Sequence, residues 1–200
     1  MNDPWRPQNG RTGSVRALPE GEVVSRCRVP GGWVRMASRP YIYSGQGFSL
    51  QRDKNRFVLP NQFRGTIKDS SGRPVVCLAK HDRWNCLTGF GLSRVDEFES
   101  LINQEKAAAL QNDRAYDADK RAMDLYGFQE VPFDGSGRFV LPEALATLAN
   151  IEDQLYFQGA GSFFTVWNPA ELAAMGEGWE SHKATCASLA AGEQSKAKKK

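Results

Sequence analysis

The chain carries the five-residue sequence Arg-Phe-Val-Leu-Pro twice, at 56–60 and at 138–142, and each copy follows a turn-forming segment. Cationic side chains lie in or beside these turns, namely Arg52, Lys54 and Arg56 in the first copy and Arg138 in the second. An arginine can donate two parallel hydrogen bonds to a phosphate or to guanine O6 and N7, whereas a lysine acts as a point charge that suits phosphate. The spacing therefore predicts two anion-binding turns in one chain.

The other reactive side chains do not form a convincing metal or catalytic pattern. Cys77, His81 and Cys86 lie close in sequence, but no fourth zinc ligand accompanies them, and both cysteines occur in apolar, strand-like runs that favour burial. His81 and His182 are the only histidines available as bases, and neither a nucleophile elbow nor a phosphate loop is present. The sequence predicts no metal, no other cofactor and no enzymatic activity.

The positive charge of the chain is concentrated in one stretch, although the formal net charge of its 200 residues is only +3. Residues 52–83 hold eight basic and three acidic side chains, while residues 84–192 hold seven basic and 16 acidic ones. A folded protein divided in this way can present one face that attracts phosphates and another that does not. A solvated surface of mixed charge is the alternative interpretation.

The composition is that of a soluble globular protein, with 40% hydrophobic and 24% charged residues. No apolar run approaches the roughly 18 residues that a membrane helix needs. Residues 1–35 contain no apolar signal region. The sequence therefore predicts a cytoplasmic protein without a membrane partner.

The context of the five-residue sequence is repeated as well, which predicts two similar β units. In each unit a strand and a tight turn precede the repeat, a proline then starts a short helix, and a second hairpin follows. The other predicted strands are Phe48–Gln51, Val75–Ala79, Trp84–Thr88, Glu130–Phe133, Gln154–Gln158 and Phe163–Trp167. Asn55 and Gly137 occupy turn positions that need a positive φ. Each unit is too small to bury a core alone, so we expect the units to pack together and chains to associate.

A helical connector separates the units, with a first helix around Phe98 and a second that ends at Gly127. Ser93 with Asp96 approximates a capping box, and Asn168 before a proline predicts an N-cap. The predicted fold class is mainly β with α (α+β), as two tandem β units joined by this connector. The predicted segments are an N-terminal extension (1–40), the first unit (41–93), the connector (94–127), the second unit (128–175), and a helix remnant with a disordered basic tail (176–200).

Residues 1–35 leave two interpretations open. One is that translation begins at Met36, so that the preceding residues are a mis-assigned upstream extension. The other is that these residues form a disordered basic arm that adds attraction for phosphates.

The two copies of the motif resemble the MraZ family, which belongs to the AbrB-like group of bacterial transcription factors with a swapped-hairpin fold. The resemblance covers residues 41–175. The second copy, 134–142, matches the family pattern of Asp, two variable residues, Gly, Arg, an apolar strand and Pro. The first copy departs from it, because Arg52 stands in place of the acid and Asn55 in place of the glycine.

The resemblance implies a sequence-specific regulator that binds double-stranded DNA. The family recognises direct repeats in the promoter of the division and cell-wall gene cluster, which includes its own gene, and it assembles into ring-shaped homo-oligomers. The resemblance implies that the cations of the turns contact DNA. From the hydrogen-bonding capacity of their side chains we expect Arg56 to read base edges, Lys54 and Arg52 to contact phosphates, and Arg138 either to contact DNA or to brace its own turn. A cytoplasmic, nucleoid-associated protein is implied. A scaffold with the same fold that does not bind DNA, an AbrB-like antitoxin and an enzyme are the alternatives.

Overall fold

The computed structural model of the protein describes residues 26–29, 32–35, 41–53 and 55–198. It divides the chain into two compact units, 1–39 and 40–200. In the first unit, within the segment predicted to be disordered or mis-assigned, strands β1 (Arg26–Val29) and β2 (Gly32–Arg35) form an antiparallel pair. The predicted alternative start, Met36, lies outside the described residues.

The second unit combines strands and helices, which confirms the predicted α+β class. Its strands are β3 (Gln46–Leu50), β4 (Arg56–Val58), β5 (Val75–Lys80), β6 (Leu87–Phe90), β7 (Gln129–Pro132), β8 (Arg138–Val140), β9 (Gln154–Gly159) and β10 (Phe164–Trp167). Its helices are α1 (Asn61–Ser71), α2 (Phe98–Gln111), α3 (Ala118–Tyr126), α4 (Glu143–Leu148), α5 (Pro169–Ala173) and α6 (Glu180–Lys198), and a 3-10 helix spans Leu92–Glu97.

Six strands form one antiparallel sheet in the order β3-β9-β10-β6-β5-β7, and β4 pairs with β8 in a separate ribbon. Strands β3 to β6 of the first repeat correspond in order to β7 to β10 of the second. When each strand is replaced by its counterpart, the order of the sheet becomes β7-β5-β6-β10-β9-β3, which is the same order read in reverse. The sheet therefore has an internal pseudo-twofold symmetry. The axis passes through the paired Thr88 and Thr165 in the sheet and through the paired Phe57 and Phe139 in the ribbon.

The segments predicted as tight hairpins are only partly hairpins, because their strands separate beyond the turn. A single bridge joins Arg52 to Arg56, and another joins Phe133 to Phe139. Strand β3 instead pairs with β9 of the second repeat, and β7 pairs with β5 of the first. An isolated two-stranded hairpin is marginally stable in water, so each outer strand gains by pairing with the other repeat. The two repeats consequently share one sheet.

Alternating side chains on the central strands place apolar groups on both faces of the sheet. On one face, Phe63 and Ile67 of α1 and Leu145 of α4 join a core of buried residues that also includes Phe57 and Phe139. On the other face, Cys77 packs in one cluster with Phe90 and Phe98, while Tyr156 and Trp167 pack in another with residues of α5 and α6. The sheet is therefore covered by helices on both faces, and Phe57 and Phe139 attach the ribbon to the core on one of them.

Several helix boundaries that the sequence predicts are confirmed. Pro60 and Pro142 directly precede α1 and α4. Helix α3 ends at Gly127. The Asn168 side chain accepts a hydrogen bond from the Ala170 N–H at the start of α5.

Two predictions between residues 81 and 97 are wrong. The strand predicted at 84–88 begins only at Leu87. Residues 84–86 form a loop instead, because the His81 Nδ1 accepts hydrogen bonds from the Arg83 and Trp84 N–H groups. Ser93 does not cap a helix, since its hydroxyl pairs with that of Ser70 at 2.6 Å and the chain enters a 3-10 helix instead.

The C-terminal segment, predicted as a helix remnant with a disordered tail, is helical through Lys198. Helix α6 packs on β3 and buries Cys186 against the cluster that contains Trp167. Trp179, just before α6, meets both Trp84 and Trp167 edge to face, at ring-centre distances of 4.9 and 5.3 Å. These contacts attach the first half of α6 to the rest of the second unit. In the part of the chain that the structure describes, no helix has the length and hydrophobicity to cross a bilayer.

Replacing Phe57 or Phe139 with alanine should lower the free energy of unfolding by about 3–5 kcal/mol, the usual result of truncating a buried phenylalanine. Both rings are nearly inaccessible, at 1% and 4% exposure, and their centres lie 6.2 Å apart. The double variant should lose less than the sum of the single losses, because the two rings contact each other. Urea unfolding measures these values. The exposed Val140 of the same ribbon is the control, and Val140→Ala should change stability by no more than about 0.5 kcal/mol.

Candidate nucleic-acid interface

The ribbon of β4 and β8 presents two arginines on its outer face. In its register Arg56 lies opposite Val140, and Val58 lies opposite Arg138. Paired residues of an antiparallel ribbon share one face, so these four side chains point away from the core, while Phe57 and Phe139 point into it. The phenylalanine pair therefore holds the two arginines outward, at fixed positions on either side of the pseudo-twofold axis.

The first turn precedes β4 and is closed by backbone hydrogen bonds. The Arg52 N–H donates to the Arg56 carbonyl at 2.7 Å, and the Arg56 N–H donates to the Asp53 carbonyl at 3.2 Å. Asn55 has a φ of 58°, as predicted, and its side-chain oxygen accepts a hydrogen bond from Gln51 Nε2 at 2.8 Å. The predicted site residue Lys54 lies outside the described residues.

The second turn is organised by the carboxylate of Asp134. Its Oδ1 accepts hydrogen bonds from the Ser136 and Arg138 N–H groups, each at 2.9 Å, and its Oδ2 accepts one from Arg138 Nε at 2.6 Å. The hydrogen bond from the Arg138 backbone N–H has the largest effect on the Asp134 carboxyl, and the one from the Arg138 guanidinium has the next largest. Together they hold the pKa of that carboxyl below its usual value. The carboxylate is therefore ionised at neutral pH and pairs with Arg138 across the turn.

Each turn is also tied to the other repeat. The Leu59 N–H donates to the Gly137 carbonyl at 2.7 Å, and the Leu141 N–H donates to the Asn55 carbonyl at 3.0 Å. These two bonds are related by the pseudo-twofold symmetry. They anchor the turns at opposite ends of the ribbon, so that neither turn depends on its own repeat alone.

The structure brings Arg56 and Arg138 together and places Arg52 elsewhere. Arg56 and Arg138 line a shallow surface cavity of about 300 Å³ together with Asp134 and Val140. Arg52 lines a separate groove of about 570 Å³ between β3, β4 and the end of α6. The outer face of the ribbon and the neighbouring groove therefore carry the described members of the predicted site.

Arg64 is a cation near the site that the two turn motifs do not include. Its Nε donates to the Leu59 carbonyl at 2.7 Å, and its guanidinium lies directly against Gly137 in the second turn. A Cβ placed on Gly137 would come within 2.1 Å of Arg64 Nε. Arg64 belongs to the basic stretch 52–83, whose charge predicts a face that attracts phosphates. Its proximity to a turn 73 residues away could not be predicted, because it arises only from the exchange of strands between the repeats.

The cysteines and histidines whose side chains the structure describes do not converge on a reactive centre. Burial raises the pKa of both Cys77 and Cys86 to about 12, so their thiols stay protonated, and they belong to different apolar clusters. Burial also lowers the pKa of His81, whose ring stacks on Trp84 with centres 4.5 Å apart. Within the described residues, no group of three His, Cys, Asp or Glu side chains is arranged to hold a metal ion. These residues serve packing and loop structure.

Comparison with known proteins places the chain among bacterial regulators. A protein of Gluconobacter oxydans named transcriptional regulator MraZ is 30% identical in an alignment of 131 positions that covers 60% of this chain and 71% of that protein. The MraZ regulators of Rhodospirillum rubrum and Rickettsia bellii are 29% and 28% identical over 124 and 119 residues. These alignments cover 60% and 58% of this chain, and 76% and 73% of the two relatives.

No family model matches the chain. The relatives nevertheless agree with one another in name, and each is covered over more than two thirds of its length. The resemblance seen in the two turn motifs thus extends over most of the length of these regulators, and the chain belongs to the MraZ family.

Proposed function

We propose that the protein is a sequence-specific DNA-binding transcriptional regulator that places the outer face of the β4–β8 ribbon against double-stranded DNA. The observation that carries this proposal is the pairing of Arg56 and Arg138 on one exposed face, held by the buried Phe57 and Phe139. A two-stranded ribbon has the dimensions to enter the major groove of B-DNA. The names of the related regulators support the same function.

The cations have different roles in this proposal. In the described part of the chain no carboxylate oxygen lies within 4.0 Å of the Arg56 guanidinium, so its donors are available for two hydrogen bonds to guanine. Arg138 shares one donor with Asp134 and keeps its terminal nitrogens for DNA. Arg52, beside the ribbon, contacts phosphate, and Lys54 in the first turn has the same role.

Recognition of direct repeats requires several ribbons to act together. One ribbon offers few contacts, and assembly into a ring-shaped oligomer presents identical ribbons to tandem sites at a high effective concentration. Exposed apolar side chains of α2 and α3, including Leu110, Met123 and Tyr126, support such an association. We propose that the DNA target is a set of direct repeats in the promoter of the division and cell-wall gene cluster, with the protein associated with the nucleoid.

Arg56→Ala should abolish the preference for the repeats and leave the fold intact. Loss of a bidentate interaction with guanine removes about 1–3 kcal/mol of discrimination for each bound protomer. Gel-shift titrations with the promoter repeats and with scrambled DNA measure that preference. Arg73→Ala is the matched control, because Arg73 is exposed and pairs with Glu130 at the edge strand β7. Equal preference for the repeats in wild type and Arg56→Ala would contradict the assignment of Arg56.

Asp134→Asn should increase DNA affinity and steepen its dependence on salt. An asparagine Oδ1 can keep the two hydrogen bonds from the backbone of the turn, while loss of the carboxylate frees Arg138 for phosphate. Glu177→Gln, in the segment between α5 and α6, removes the same charge from an exposed position outside both turns and serves as control. If both variants bind DNA equally well, Arg138 acts only as a brace for its turn.

A further inference from the structure

We infer that Arg64, which belongs to the first repeat, contacts a DNA phosphate beside the second turn. This inference rests on the proposed function and adds a binding residue that lies outside both turn motifs. Four observations carry it, namely the hydrogen bond that holds Arg64, the space that Gly137 provides for its side chain, the charge of the second turn, and the open groove that Arg64 borders.

Arg64 is held in place by the backbone that anchors the second turn. Its Nε donates to the Leu59 carbonyl at 2.7 Å, while the Leu59 N–H donates to the Gly137 carbonyl at the same distance. One residue of the ribbon therefore fixes both the guanidinium and the turn. Because Nε is engaged, the two terminal nitrogens form the free end of the side chain, and such a fork suits the oxygens of a phosphate.

The repeat shows that the second turn is shaped to accommodate this side chain. Gly137 has no side chain, and a Cβ at this position would lie only 2.1 Å from Arg64 Nε. In the first turn the equivalent residue is Asn55, and the helix position that corresponds to Arg64 is Ala146. The second turn thus has a glycine beside an arginine, while the first turn has a larger residue and the corresponding helix position has an alanine.

The second turn also lacks a net positive charge of its own. Arg138 pairs with Asp134 at 2.6 Å, and Ser136 stands where the first turn has Lys54. Among the described residues, no carboxylate oxygen lies within 4.0 Å of Arg64. Arg64 therefore gives the second turn the positive charge that its own sequence does not supply.

Arg64 also borders open space. With Arg52 and Lys196 it lines the groove of about 570 Å³ beside the ribbon, where Glu193 pairs with Lys196. Three cations and one carboxylate give this groove a net positive charge. A DNA backbone that passes the ribbon would follow the groove and meet Arg64 at its edge.

The test compares two variants that remove the same charge, Arg64→Gln and Arg73→Gln, in the full-length protein. Glutamine at position 64 keeps an N–H donor for the Leu59 carbonyl. Affinities for the promoter repeats and for scrambled DNA are measured over a range of salt concentrations. Arg64→Gln should weaken binding to both DNAs by a similar factor and reduce the slope of log K against log salt by about 0.9 for each phosphate that is no longer neutralised. Arg73→Gln should keep the wild-type slope, and Arg64→Lys should also keep it.

Equal slopes for Arg64→Gln and Arg73→Gln would overturn the inference, even if Arg64→Gln lowers affinity, since a purely structural role changes affinity without changing the number of released ions. If Arg64→Gln does not fold, as judged by circular dichroism, the same criterion applies to Arg64→Met, which preserves an unbranched side chain. The proposed function has its own criterion. Wild-type protein without preference for the repeats would contradict sequence-specific regulation, while the slopes on scrambled DNA still decide the role of Arg64.

Discussion

The contact between Phe57 and Phe139 is the interaction on which the rest of the structure depends. It lies on the pseudo-twofold axis of the ribbon and connects the ribbon to the core below it. Since alternate residues of a strand face opposite ways, burial of these two rings determines that Arg56 and Arg138 face outward. A one-residue shift of either strand against the other would bury the arginine of that strand and expose its phenylalanine. The same apolar contact therefore sets the fold of the repeats and the direction of their cations.

The symmetry around this contact is structural, while the charges arranged on it are asymmetric. The first turn is strongly cationic in sequence, and the second is braced by Asp134. In the folded protein Arg64 lies against the second turn, which makes the two ends of the ribbon more alike in charge than their sequences indicate. Exchange of strands between the repeats makes this possible, because a residue of one repeat is placed beside the turn of the other.

Signals confined to a few neighbouring residues could be read from the sequence. The positive φ of Asn55, the prolines before α1 and α4, and the end of α3 at Gly127 follow from local stereochemistry. The exchange of strands could not be predicted from the residues alone, because a hairpin and an exchanged pair have the same alternating pattern. Arg64 was missed for the same reason. The loop at 84–86 depends on a histidine ring that accepts backbone hydrogen bonds, which no periodicity reveals.

Hydrogen–deuterium exchange of the oligomer, with and without promoter DNA, tests most directly whether the ribbon is the DNA-binding surface. Peptides that contain the turns 52–56 and 134–138 should exchange more slowly when the promoter repeats are bound, and much less so with scrambled DNA at the same concentration. Helices α2 and α3, which carry the proposed association surface of the oligomer, should show no such dependence on DNA sequence. Protection of those helices by the repeats, with both turns unchanged, would contradict the account.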